Sequence, residues 1–113
     1  MLTNNDREKT VLQKLQQILE TAIDCGADSI ELEIADGGLE VTYMSGNMGY
    51  GELISDHELI GRVICLIIDR AKLENKSRGV MIWTLSGRQY RITVKEYESF
   101  GESAFRLKLG EPT

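Results

Sequence analysis

The most constraining feature of this 113-residue chain is the stretch from Ser55 to Leu73. Leu59, Ile60, Val63, Ile64, Ile67, Ile68 and Ala71 recur there at helical spacing. At about 100° per residue they cover roughly half of a helix circumference. Ser55 and Glu58 have the spacing of a capping box, which satisfies backbone N–H groups at a helix start. A stripe that wide and rich in β-branched residues suits a helix lying flat on a sheet, so the flanking segments are expected to be strands.

Residues 6–25 predict a first helix, with Val11, Leu12, Leu15, Ile18, Leu19, Ala22 and Ile23 on one stripe and Gln13, Gln17, Glu20 and Asp24 off it. Asn4 or Asn5 can cap its start and Gly26 fits a left-handed stop. A helix packed on the core explains it better than one reserved for a partner. Ser29–Ile34 alternates, with Ile30, Leu32 and Ile34 on one side and Glu31 and Glu33 on the other. Asp36-Gly37-Gly38 is a turn, and Leu39–Met44 returns with Glu40 on the acidic outer side. The glycine-rich run 45–51 reads as a flexible connector. An anion cradle there is disfavoured because the run has no lysine and its neighbours are acidic.

After the central helix, Val80–Leu85 is a strand containing Trp83. Ser86-Gly87 turns the chain into Arg88–Tyr97, where Tyr90, Ile92 and Val94 oppose Arg91, Thr93 and Lys95. Ser103–Leu109 sets Phe105, Leu107 and Leu109 against Arg106 and Lys108, and 1–5 and 110–113 are expected to fray. The predicted order is α-β-β-α-β-β-β in one α+β domain. Glu31 and Glu33 need opposite charge across the strand gap, and Arg106 and Lys108 supply it. The first strand should therefore pair with the last. This gives a two-layer structure: a five-stranded antiparallel sheet of order 2-1-5-4-3, with both helices on one face.

Charge is unevenly placed within a net −5. Residues 15–61 hold ten acidic residues and no Lys or Arg, whereas 62–113 hold ten basic and six acidic ones. An acidic total argues against nucleic-acid binding, which rests on clustered cations. No apolar run approaches the roughly 20 residues of a membrane span, and the amino terminus carries no export pattern. A cytoplasmic protein is expected, with Cys25 and Cys65, 40 positions apart, as buried reduced thiols.

Catalytic chemistry finds little to work with. His57 is the one histidine, at the start of the central helix, where a polar residue is simply tolerated. Glu31, Glu33 and Glu40 are hard-cation ligands by type, but no loop has calcium-ligand spacing, and no zinc pattern exists. No catalytic residue, metal or cofactor is assigned.

Several segments from Gly26 onward carry a resemblance. Ala27-Asp28-Ser29-Ile30-Glu31-Leu32-Glu33, the basic helix end Arg70-Ala71-Lys72-Leu73, and Tyr90-Arg91-Ile92, Gly101-Glu102 and Phe105-Arg106-Leu107 are similar to motifs of one family. That family is the domain preceding the motor in type II secretion and type IV pilus assembly ATPases. The resemblance spans about 80 residues and implies a PAS-like fold. The family's Pro-Gln-Asp-Gly-Arg segment is missing, with only Ser77-Arg78-Gly79 in its place. No Gly-x-x-x-x-Gly-Lys-Ser/Thr loop is present, so nucleotide hydrolysis is not implied. Family arginines contact nucleotide or motor, so Arg91 and Arg106 inherit only an interaction role, which competes with cross-strand pairing to Glu31 and Glu33.

The expected function is a non-catalytic interaction or regulatory module. It would use Glu31, Glu33, Glu40, Arg91, Lys95 and Arg106 against a protein partner or a second copy of the chain. One alternative is a PAS-like small-ligand sensor with a pocket lined by Trp83, Tyr90 and Phe105. The other is a secretion-type chaperone, although the usual carboxy-terminal amphipathic helix is absent.

Overall fold

The computed structural model describes the backbone of residues 4–112 and the side chains of residues 8–111. Its elements are α1 (Asn4–Asp24), β1 (Ser29–Ala35), β2 (Gly38–Ser45), β3 (Met48–Ile54), α2 (His57–Ala71), β4 (Arg78–Leu85), β5 (Arg88–Ser99) and β6 (Glu102–Pro112). The chain is thus a helix and three strands, twice over. The strands form one antiparallel sheet of order β3-β2-β1-β6-β5-β4. The PAS-like, five-stranded layout expected from the sequence is corrected by this six-stranded sheet.

The added strand is β3, in the segment read as a loop. Gly46 has φ 62°, and Ser45 pairs with Met48 across Gly46-Asn47. Glycine at the first central position of a two-residue loop is the signature of a type II′ hairpin. The anion cradle falls with the loop, because the remaining glycines of that run, Gly49 and Gly51, are strand residues.

Both helices cover one side of the sheet. Val11, Leu15, Ile18, Leu19 and Ala22 from α1 join Ile60, Val63, Ile67 and Ala71 from α2 in a single core with Ile30, Leu32, Val41, Ile92, Val94, Phe105 and Leu107. The wide stripe on α2 does what its spacing predicts: Ile60, Val63, Ile67 and Ala71 are buried, while Leu59, Ile64 and Ile68 pack half-buried beside them. The cap differs from expectation. Asp56, not Ser55, precedes the first turn, and its carboxylate accepts the Leu59 N–H at 3.1 Å. A carboxylate suits that position because it also opposes the positive end of the helix dipole.

Both helix ends close in the same way. Leu73 N–H donates to the Ile68 carbonyl, with Lys72 left-handed at φ 56°; Ala27 N–H donates to the Ala22 carbonyl, with Gly26 at φ 72°. These are Schellman closures, and Gly26 is the stop its sequence position predicts. At the start of α1 the helix is already formed at Asn4, and the side chains of Asn4 and Asn5 lie outside the described ones. At the other end, β6 continues through Gly110 to Pro112, where fraying was expected after Leu109. Gly110 allows this: a Cβ there would lie 2.8 Å from the Arg91 carbonyl, beside the irregularity in the β5–β6 register.

Candidate functional site: the helix-free face of the sheet

Side chains on a strand alternate between faces, so the residues between the core positions look away from the helices. On β1 and β2 these are Ser29, Glu31, Glu33, Glu40, Thr42 and Met44. On β6, β5 and β4 they include Ala104, Arg106, Lys108, Arg91, Thr93, Lys95, Tyr97, Arg78, Val80 and Ile82. The six charged residues singled out from the sequence, Glu31, Glu33, Glu40, Arg91, Lys95 and Arg106, therefore share this open face. Of these six, the carboxylates occupy the β1–β2 half and the cations the β6–β5–β4 half, and Glu102, by the same alternation, adds one carboxylate at the far end of β6.

The seam between the halves is built around Arg106. β1 pairs with β6 with Glu31 opposite Arg106, the pairing the charge argument predicts. Arg106 Nη2 and Nε donate to Glu31 Oε1 at 3.0 and 3.2 Å. The guanidinium also lies over the Tyr97 ring, 5.2 Å from its centroid, and the Tyr97 hydroxyl donates to Glu33 Oε1 at 3.2 Å. Burial, followed by the Glu31 and Glu33 charges and the Glu33 hydrogen bond, holds the Tyr97 hydroxyl above its ordinary pKa, against the opposing pull of Arg106. Tyr97 thus stays a neutral donor that ties Glu33 into the seam. Tyr97 lies outside the site expected from the sequence, although extending the alternation two residues past Lys95 places it there.

The register also redistributes the expected partners. Lys108 lies opposite Ser29, and Glu33 opposite Ala104, so Lys108 does not face a glutamate. Arg91 lies opposite Ile82 on β4, remote from Glu31 and Glu33, and its expected cross-strand pairing with them is replaced by this one. Among the described residues, no ion pair joins Arg78, Arg91, Lys95 or Lys108 to a carboxylate. Instead, like charges stand opposite one another: Lys95 across from Arg106, Arg78 across from Lys95, and Glu33 across from Glu40.

The aromatic trio sits elsewhere. Trp83 and Phe105 are core side chains, 7% and 1% exposed. The Trp83 ring N–H is satisfied by Gln16 Oε1 at 2.7 Å, and Arg70 lies 5.2 Å over its ring. Tyr90 is half-buried opposite Trp83 and borders a shallow cleft with Glu20, Ile23, Asp24 and Arg88, which neither Trp83 nor Phe105 lines. His57 is exposed in the first turn of α2. Both cysteines are exposed rather than buried as expected, because Cys25 follows the end of α1 and Cys65 falls outside the stripe of α2. Among the described residues, no group of three or more His, Cys, Asp or Glu is placed to hold a metal, and no helix is long and apolar enough to cross a membrane.

Comparison with protein-family models finds none that matches the chain, and comparison with curated proteins finds no matching sequence.

Proposed function

We propose that this protein is a non-catalytic interaction module that docks through the helix-free face of its sheet. The observation that carries the reading is the sorting of that face into a half with Glu31, Glu33 and Glu40 and a half with Arg78, Arg91, Lys95, Arg106 and Lys108, interrupted by Glu102 at the far end of β6, each half holding like charges directly across from one another. Such pairs destabilise a sheet, and a partner of complementary potential relieves them. The resemblance to the domain preceding the motor in secretion and pilus ATPases supports the same reading. Its segments 27–33, 90–92 and 105–107 lead into or lie on β1, β5 and β6, neighbours in the sheet, and they bring Glu31, Glu33, Arg91 and Arg106 to one face.

The test compares the wild-type protein with a variant neutralised at Glu33, Glu40, Lys95 and Lys108, at low and moderate salt, by sedimentation and by capture from a native extract. Association that weakens with salt and is lost in the variant supports the reading. A wild-type protein that stays a lone monomer and captures nothing at either salt would overturn it.

A further inference from the structure

We infer that the occupant of the open face is a second copy of this chain, packed sheet to sheet about a two-fold axis. The inference deepens the interaction reading above and rests on it. An axis running along the strands at the β1–β6 seam lays the β1–β2 half of each copy over the β6–β5 half of the other. Each acidic half then meets a basic half, and the contact is self-complementary, as a two-fold interface must be. Glu31 faces the second copy's Arg106, so the ion pair at the seam becomes a four-charge cluster. Rotation about that axis keeps the level along the strands, so Lys95 faces the second copy's Thr42 with that copy's Glu31 and Glu40 beside it, while Lys108 faces Ser29.

Size and chemistry set the strength of this contact. Six strands at roughly 4.8 Å spacing, each giving about seven residues at roughly 3.3 Å rise, make a face on the order of 25 Å on a side. Two such faces bury on the order of 1,200 Å² in total, the lower bound for a specific interface. The large apolar groups of the face, Leu53, Val80 and Ile82, lie on its outer strands β3 and β4, and its centre is ionic. The dimer is therefore weak, concentration-dependent and sensitive to salt.

The experiment is a charge exchange read by analytical ultracentrifugation. Variant E33K/E40K makes the acidic half basic, and K95E puts a carboxylate where the second copy brings Glu31 and Glu40. Both leave the Glu31–Arg106 seam intact, and circular dichroism checks that each folds. Wild type is expected to dimerise at about 50 mM salt and to weaken by about tenfold or more at about 500 mM. Each variant alone should lose at least about tenfold in self-association. An equimolar mixture should form a heterodimer of about wild-type affinity, because both of its contacts again join opposite charges.

A dimer that persists in both variants and at high salt would overturn the inference, as would a mixture that does not associate. Wild type that stays monomeric at low salt and high concentration would overturn it too. If that monomer still captured another protein in a manner abolished by E33K/E40K, the interaction reading would stand while the second copy was excluded. If the variants fail to fold, the salt dependence of the wild-type dimer still decides the matter.

Discussion

Phe100 is the residue whose placement is hardest to reconcile with stability alone. It occupies the tip of the β5–β6 hairpin with φ 51°, followed by Gly101 at φ 83°, and its side chain is fully exposed. Two successive positive φ values make a type I′ turn, which fits the twist of the flanking strands. An L-residue in that region costs roughly 1–2 kcal/mol, and asparagine tolerates it best after glycine. Phe100→Asn is therefore expected to raise stability by about 0.5–1 kcal/mol, a rise in Tm of a few degrees. Thermal melting checks it. An unchanged or lower Tm would mean that the Phe100 ring makes a contact in solution that outweighs the backbone strain.

At the scale of elements, legibility followed periodicity. α2 was readable because seven apolar residues repeat at one period, and β5 and β6 because Ile92 and Val94, like Phe105 and Leu107, alternate with polar residues. β3 escaped because its faces carry no such contrast. Its outward positions are Gly49, Gly51 and Leu53, and its inward ones Met48, Tyr50, Glu52 and Ile54. The inward set is held by specific contacts, not by uniform burial. The Tyr43 hydroxyl donates to Glu52 at 3.0 Å, Lys14 reaches the same carboxylate at 3.7 Å, and the rings of Tyr43 and Tyr50 lie 5.3 Å apart. The one local signal was the Gly46-Asn47 dipeptide, a two-residue hairpin turn when strands flank it. A strand secured by one buried side chain, Ile54, opens more easily than the core strands do. Gly46→Val forces a β-branched residue into positive φ, at a cost of about 1–2 kcal/mol. Hydrogen exchange is expected to quicken across β2 and β3 first while β5 and β6 keep their protection. Uniform loss across the sheet would show that β3 is part of the same cooperative unit.

For the whole molecule, the charge partition legible in the sequence becomes a polarised surface only because β1 pairs with β6. That pairing brings the acidic first half and the basic second half side by side in one sheet. The sequence could not show which charges would remain unpaired, since that depends on register: one step sets Glu31 against Arg106 and leaves Lys108 facing Ser29. The row Arg78–Lys95–Arg106 across β4, β5 and β6 is the clearest consequence, with Lys95 between two arginines. A fold selected for stability alone gains by placing a carboxylate there. Lys95→Glu converts two repulsive cross-strand pairs into two attractive ones, for an expected gain of about 0.5–1.5 kcal/mol, discounted because these side chains are solvated. The same change places negative charge where a second copy brings its glutamates, so self-association should weaken as stability rises. Thermal melts at low salt and sedimentation on the same samples separate the two effects. A variant that is more stable and still dimerises as tightly as wild type would show that the basic row has no part in association. One that loses both would place Lys95 in a structural role that the open face does not reveal.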